Sequence, residues 1–359
     1  MYDLIVIGGG ATGLCTALRA KANGKKVLII EKEDKVGKKI LVTGNGKCNL
    51  SNVDISVENY NTNFVKKIIK TDVVGFINKL GISTTTINGK IYPRTESALT
   101  VVNKLRDKLD KKEIVLSDTV EKIEKVDDYY VINGYKGKNV ALCTGSGATK
   151  GAFSHHLYTD LGHSVTPLKP SIVPLLCDNV YIKNLANLRA KVQINLYQKN
   201  KVYSQKGEIL FKNNGISGIC SMMISSFIAR NKGDYLVKID FCPDLELKEV
   251  EDFCREYPID GLVHQAIAQS ITKQARDNKE SIPFVVKNFT LTNVRLGDFS
   301  LAQVACGGLK VEEFDDNLMS KLHKGLYAGG EVLDVDGDCG GYNLHWAIAS
   351  GIKIGDSIC

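Results

Sequence analysis

Tyr2 to Ile7 (YDLIVI) is a short, nearly continuous apolar run that ends in Gly8-Gly9-Gly10. A run without polar alternation reads as a strand buried on both faces, the habit of parallel sheets covered by helices. Ala11, Thr12 and Gly13 follow, then Leu14, Ala17 and Leu18 at helical spacing, a stop at Gly24 and a second apolar run from Val27 to Ile30. Strand, helix and strand in that order commit this part of the chain to an α/β fold. At the first turn Gly8, Gly10 and Gly13 stand as G-x-G-x-x-G. The first glycine permits the tight turn, the second lets backbone approach a pyrophosphate, and the third lets helix and strand pack closely. The helix then offers its amino-terminal N–H groups, with Ala11 and Thr12, to the phosphates.

Glycine-rich turns occur in many α/β proteins, so the fingerprint gains its meaning from Glu31. It lies 18 positions past Gly13, at the end of the second strand, where a carboxylate accepts hydrogen bonds from an adenosine ribose. The same carboxylate repels a 2′-phosphate. Downstream stretches decide between nicotinamide and flavin. Gly37 to Asn49 (GKKILVTGNGKCN) crowds three glycines and two asparagines into what reads as a loop, neither helix nor core strand, with backbone N–H groups for a ligand. Near the other end, Gly325 to Glu331 (GLYAGGE) reads as a strand closing on two glycines and a carboxylate. Asp334, Asp336, a turn at Gly340-Gly341 and a helix from about Asn343 to Ile354 follow. A nicotinamide site is usually completed within one contiguous domain, whereas FAD in the glutathione-reductase type of fold bridges both chain ends. The wide separation favours FAD.

Composition bounds the rest. With 359 residues, 43% hydrophobic and 24% charged, the chain can build a sizeable core in two or three domains. Disorder, collagen and coiled coil are excluded. No apolar run approaches the roughly 18 residues of a membrane span, and no basic-then-apolar leader precedes Tyr2, so a cytoplasmic protein off the membrane is expected. The ten cysteines form no C-x-x-C and no zinc-spaced cluster, so reduced thiols and no metal are expected. The net charge of +7 comes from 47 basic against 40 acidic residues, with the lysine pairs dispersed among acids. A small-molecule substrate is therefore expected and a nucleic acid is not. Oligomeric state is not set by these features.

Tyr2 to Asn52 and Gly325 to Ser350 resemble a flavoprotein family variously called BaiN-like, YhiN-like or aminoacetone-oxidase-family. Weaker matches at 89–93, 140–147, 162–176, 207–211, 215–218 and 302–308 extend the resemblance along the chain. It implies an α/β, glutathione-reductase-type, Rossmann-like FAD-binding domain of residues 1–165 and 305–359. An inserted small β-barrel at 166–243 and 284–304 and a helical insert at 244–283 would interrupt it. The insert's own pattern agrees with this, with short β-rich runs at Ile172–Leu176, Lys191–Tyr197, Glu208–Phe211 and Leu236–Asp240. A helix is expected over Cys220–Ala229, helical spacing over Leu245–Lys279, and strand-like alternation over Phe284–Val304.

By the resemblance, Gly8, Gly10, Ala11, Thr12 and Gly13 hold the pyrophosphate, and Glu31 with Lys32 lies at the adenosine ribose. Val120, in a strand-like Asp118–Ile123, presents backbone to the adenine, and Gly330-Glu331 meets the ribityl chain. Thr43, Gly44, Asn45, Gly46, Cys48 and Asn49 lie along the ribityl chain and isoalloxazine. Gly341, Tyr342, Asn343 and Leu344 present amides to the flavin N1–C2=O edge, where reduction places negative charge. Thr144-Gly145 passes near the FAD rather than forming a second dinucleotide site, and the family's longer pattern is cut to Ala148–Tyr158 here. Cys48 reads as lining the ring, without a partner thiol, and His155, His156 and His163 lack metal spacing. Tyr92 and Tyr342 either touch substrate or are structural. His345, where related sequences often carry Gln, either acts as a local acid or base or packs and hydrogen-bonds.

The resulting expectation is an FAD-dependent oxidoreductase exchanging a hydride between flavin N5 and a small organic substrate, with NAD(P)H as a diffusing reductant. An oxygen-using oxidase of a small amine, a flavoprotein acting on tRNA and a non-catalytic flavin sensor stand beside it.

Overall fold

The computed structural model describes residues 1–148 and 154–358. The chain divides into two units, residues 1–168 with 304–359 and residues 169–303.

The first unit is built on a mostly parallel sheet. β1 (Tyr2–Ile7) lies between β2 (Val27–Ile30) and β9 (Tyr135–Leu142), parallel to both. β6 (Ile114–Val115) extends the sheet beyond β2, and β19 (Leu326–Ala328) pairs in parallel with β9. β9 also carries an antiparallel β8 (Tyr129–Ile132), followed by β7 (Glu124–Val126). Leu4, Ile5, Val6 and Val27 to Ile30 are buried, as unalternated strands of a covered sheet must be. Helices α1 (Ala11–Ala22) and α10 (Tyr342–Ser357) pack on each other. Glycines allow the close approach: a Cβ on Gly351 would stand 2.5 Å from the Thr12 carbonyl oxygen.

Short elements fill the rest of this unit: α2 (Lys38–Leu41), α3 (Val73–Lys79), α4 (Ala98–Arg106) and α5 (His156–Thr159). A small antiparallel sheet orders β3 (Ser51–Asn52), β5 (Lys90–Pro93) and β4 (Thr84–Ile87). The chain leaves through β10 (Val165–Ser171) and returns through β18 (Val304–Leu309), which pair with each other.

The second unit is an antiparallel sheet. Its pairings run β16 (Phe289–Leu291), β15 (Leu236–Asp240), β12 (Arg189–Tyr197), β13 (Lys201–Lys212), β14 (Gly215–Ser217), β11 (Leu175–Leu176) and β17 (Arg295–Leu296). α6 (Ile219–Arg230) packs on β13. α7 (Leu247–Glu256), α8 (Gln265–Asn278) and α9 (Ile282–Asn288) add Val250, Ile267, Ile271 and Val285 to the same core as the strands.

Local expectations needed correction in three places. The 37–49 stretch holds the one-turn helix α2 and a 3₁₀ turn at Thr43–Gly46, with Gly44 and Asn45 both at φ 55. Here the glycines interrupt a helix rather than preventing one. Asp118–Ile123 is irregular, not a strand: Ser117 and Asp118 donate backbone N–H groups to the carbonyls of Glu33 and Glu31 instead of to a ladder. Phe284–Asn288 is helical, because Ser281 caps the Phe284 N–H and Val285 and Val286 are buried on one turn. Of the shortened stretch 148–158, residues 149–153 lie outside the described residues.

Candidate functional site

The carboxyl ends of four parallel strands converge where the order turns about β1, the place at which open α/β sheets bind ligands. Gly8 follows β1 at φ 101, and a Cβ there would stand 2.7 Å from the Cys143 carbonyl oxygen after β9. A Cβ on Gly13 would fall on the Gly8 carbonyl oxygen, so helix and strand meet only because this residue is glycine. α1 starts with Leu14 N–H bonded to the Gly10 carbonyl, and no side chain caps its amino end. Ala11, Thr12 and Gly13 therefore carry the N–H groups a pyrophosphate would take.

Glu31 is buried at the end of β2. Its Oε2 accepts from Gly9 N–H at 2.6 Å and its Oε1 from Glu33 N–H at 2.9 Å. Each carboxylate oxygen keeps a second lone pair for a ribose hydroxyl. Lys32 points to solvent, and Val120 is buried on the irregular stretch beside Glu31.

After β19, Gly330 takes φ 71, where a Cβ would stand 2.2 Å from Thr12 Oγ1; its N–H donates to Ser350 Oγ and its carbonyl accepts from Trp346 Nε1. α1, α10 and the acid-bearing loop are thereby locked together. Glu331 accepts from Lys39 Nζ at 2.5 Å and from Ser146 Oγ at 3.1 Å, close to Gly145; Thr144 bonds Ser154. Lys39 and Ser146 lie inside the glycine-rich stretches at 37–49 and 145–147, but nothing in those stretches marked them as partners of Glu331.

A second cluster joins residues about 290 positions apart. A Cβ on Gly341, at φ 100, would stand 2.5 Å from the Ser51 carbonyl oxygen and 2.8 Å from Asn49 Oδ1. Asn52 Nδ2 donates to the Gly340 carbonyl at 3.0 Å. Asn49 Oδ1 is buried with no hydrogen-bond partner among the described residues, a cost unless a ligand donor meets it. Tyr92 stands beside Gly44, and Lys47, paired with Glu96, is close enough to act on its phenol. Burial raises the Tyr92 pKa and the Lys47 ammonium opposes that rise. Thr43 spends its hydroxyl on the Ile40 carbonyl, while Asn45 and Gly46 lie on the exposed 3₁₀ turn and its end.

The remaining candidates divide clearly. Cys48 is buried, which pushes its thiol up to about 11, so it is protonated at neutral pH. Asn343 uses its side chain on both backbone groups of Gly337, and Leu344 packs on the core. Tyr342 stacks edge-on with Tyr60, whose hydroxyl donates to the Tyr342 carbonyl at 2.9 Å. Asn61 donates to the Asp334 carbonyl and accepts from Asp336 N–H. Tyr60 and Asn61 thus clamp the 334–342 loop, a role no local motif announced. His345 lies buried between Ser51 Oγ at 2.8 Å and the Ile69 carbonyl at 2.9 Å. A carbonyl only accepts, so Nε2 carries the proton and Nδ1 accepts from Ser51. No zinc-like group of His, Cys, Asp or Glu occurs among the described residues, and no helix among them is long and apolar enough to cross a membrane.

A fingerprint turn completed by an acid-bearing strand and helix from the far end of the chain defines a flavoprotein oxidoreductase on a Rossmann-like domain. The chain belongs to the HI0933-like protein Rossmann domain family, whose pattern matches residues 2–357. It is similar, at 30% identity over 403 aligned positions covering 99% of this chain and 98% of the relative, to a 3-dehydro-bile acid Δ(4,6)-reductase of Clostridium scindens. It is 27% identical over 389 positions, 97% and 96% of the two chains, to a ribosomal RNA dihydrouridine synthase of Escherichia coli. Among solved structures, the 3-ketosteroid-Δ4-(5α)-dehydrogenase of Rhodococcus jostii RHA1 shares the fold, with a TM-score of 0.51, 14% identity and coverage of 99% and 96%.

Proposed function

We propose that this chain is an FAD-dependent reductase acting on a carbon–carbon double bond conjugated with a carbonyl. The observation that carries the reading is the meeting of Gly340-Gly341 with Asn49 and Ser51, which leaves a buried, unpartnered acceptor beside an uncapped helix start. When bound, FAD supplies the hydride at its N5.

The protein's own groups then have separable tasks. The α1 amino end and Gly8 to Gly13 hold the pyrophosphate, Glu31 the ribose, and backbone near Val120 the adenine. Gly145, Gly330 and Glu331 flank the ribityl chain, with Lys39 balancing the Glu331 charge. The amino end of α10, from Gly341 to Leu344, faces the ring edge where reduction adds negative charge, and its dipole favours that charge. Asn49 Oδ1 accepts a ring or ribityl hydrogen bond. Tyr92 is the half-buried acid placed to give a proton to substrate, with Lys47 stabilising its phenolate. His345 holds β3 against α10 and takes no part in proton transfer.

The names of the two curated relatives support the choice of bond. A bile acid Δ(4,6)-reductase and a dihydrouridine synthase both saturate a double bond conjugated with a carbonyl, on otherwise unlike molecules. The proposed reductant is NAD(P)H, which would diffuse in and out: among the described residues the glycines after β9 precede no second acid-tipped strand that would hold it as a resident.

The test is anaerobic stopped-flow. The FAD-loaded protein is mixed with NADH or NADPH, then with a 4-en-3-one steroid, a uridine-containing oligonucleotide or oxygen. Bleaching by a nicotinamide, followed by reoxidation that is faster with a conjugated double bond than with oxygen, is expected. Reduction by a small amine with reoxidation by oxygen alone would replace this reading with an oxidase.

A further inference from the structure

His163 belongs to neither glycine cluster, yet its hydrogen bonds lead to one of them. The buried ring follows α5 and lies between a hydroxyl and a carboxylate: Nε2 is 2.8 Å from Ser320 Oγ and Nδ1 is 2.8 Å from Glu313 Oε2. Ser, His and Glu in this order are the parts of an activated nucleophile. Ser320, however, is only 3% exposed, and its oxygen already accepts from Leu322 N–H at 3.1 Å and His323 N–H at 3.0 Å. With both lone pairs used, the hydroxyl has only its proton left to give. A carboxylate only accepts, so Nδ1 carries the ring proton toward Glu313 and Nε2 accepts from Ser320. Every donor and acceptor between Glu313 and Ser320 is matched when the ring is neutral. A second proton, on Nε2, would meet an oxygen with no lone pair to spare and leave the Ser320 O–H without its acceptor.

Ser320 in turn holds the strand that leads to Glu331. Its N–H donates to the Leu326 carbonyl at 2.7 Å, Met319 bridges Tyr327, and Ala328 N–H donates to the Leu318 carbonyl at 3.1 Å. β19 is therefore bound by residues 318–320 as well as by β9, and it runs directly into Gly330 and Glu331. Among the described residues, the titratable and charged groups around the His163 ring are Glu313, His323, Tyr158 and Lys321. The His323 ring is 6.3 Å away between centres and bonds the Leu161 carbonyl through Nε2 at 2.7 Å. The Tyr158 ring is 5.4 Å away and donates its hydroxyl to the Tyr327 carbonyl, while Lys321 turns its ammonium to the Glu312 carbonyl. Phe314 stacks on the imidazole at 4.9 Å. Burial lowers the His163 pKa, the Glu313 carboxylate only partly opposes this, and His323 adds to it.

We infer that neutral His163 is a positioning residue for the flavin: through Ser320 and β19 it holds Gly330-Glu331 at the cofactor, and its protonation loosens them. The inference rests on Glu331 flanking the ribityl chain, as proposed above. It adds the group that fixes the approach to that carboxylate and the proton that undoes it. The reading is measured as retention of FAD, without turnover.

In the experiment the FAD-loaded protein is diluted into buffers on both sides of the ordinary histidine pKa of about 6.5, and release is followed by the fluorescence of free FAD. Release from wild type is expected to quicken on the acid side by up to about tenfold per pH unit, as the protonated share of the ring grows. His163→Asn cannot take up this proton and loses the Ser320 bond, so it should release FAD faster than wild type at neutral pH and without the acid rise. Glu313→Gln keeps an acceptor for Nδ1–H but removes the charge that favours the imidazolium, so its rise should move to lower pH by about one unit or more. A purely structural role would weaken retention in both variants without moving the profile. Nitrogen NMR of the wild-type ring should find the Nδ1–H tautomer at neutral pH. A wild-type profile in either variant, or an Nε2–H tautomer, overturns the inference. Glu331→Gln separates it from the cofactor reading. Retention unchanged at every pH would remove Glu331 from the site and the inference with it, whereas weakened retention beside wild-type profiles for the other two variants would overturn the inference alone.

Discussion

His345 shows how much a single residue's role depends on partners far away in sequence. Its unusual identity was visible along the chain, but its acceptor Ile69 and donor Ser51 lie 276 and 294 positions away. The anchoring role proposed for it rests on these two partners. A Gln side chain has both a donor and an acceptor, so His345→Gln should leave the pH profile of flavin reduction unchanged. His345→Ala strands both partners and should cost about 1–3 kcal/mol in denaturant melts. Tyr92 should behave in the opposite way. Tyr92→Phe is expected to leave nicotinamide reduction of the flavin intact and to slow reoxidation by the conjugated substrate by roughly a hundredfold or more in stopped-flow traces. Equal rates for Phe and Tyr would remove the phenol from the chemistry. Gly13 and Glu31, by contrast, were legible at once, because turn, close approach and strand end are local events.

Between elements, legibility follows periodicity. β1, α1, β2 and α10 announce themselves through unbroken apolar runs or helical spacing. The helical turn α2 and the irregular stretch before β7 do not, because one turn has no period and an extended segment takes its hydrogen bonds from wherever the neighbouring chain supplies them. The packing of α10 on α1 is another contact that no window along the sequence contains. A methyl group at Gly351 would meet the Thr12 carbonyl, and α10 also carries Ser350 and Trp346, which hold Gly330. Gly351→Ala should therefore lower stability by about 1–3 kcal/mol. It should also reduce the FAD retained through gel filtration, since Gly330-Glu331 would move with the helix. A melting temperature lowered with full flavin occupancy would show that the loop does not depend on this contact.

For the whole molecule, three buried histidines contribute to the response to acid. Burial lowers the pKa of His155, His163 and His345 below the ordinary 6.5, and the Glu313 carboxylate beside His163 only partly opposes this. Above that pH both folded and unfolded chains hold these rings neutral. As pH falls through it, the unfolded chain takes up protons that the folded chain refuses, so stability drops by up to about 1.4 kcal/mol per histidine per pH unit. Urea melts on either side of pH 6.5 should show this loss on the acid side, and His163→Asn should reduce it. The division into two units supports a stronger prediction. Both glycine clusters, Glu31, Glu331 and Asn49 lie in residues 1–168 and 304–359, and the strands at the break, β10 and β18, pair with each other. Replacing 169–303 by a short Gly-Ser linker therefore closes a small loop at little entropic cost. The shortened chain should still copurify with FAD, because every group proposed to hold the cofactor remains. A shortened chain that folds by circular dichroism yet retains no flavin would show that the second unit contributes to the cofactor site itself.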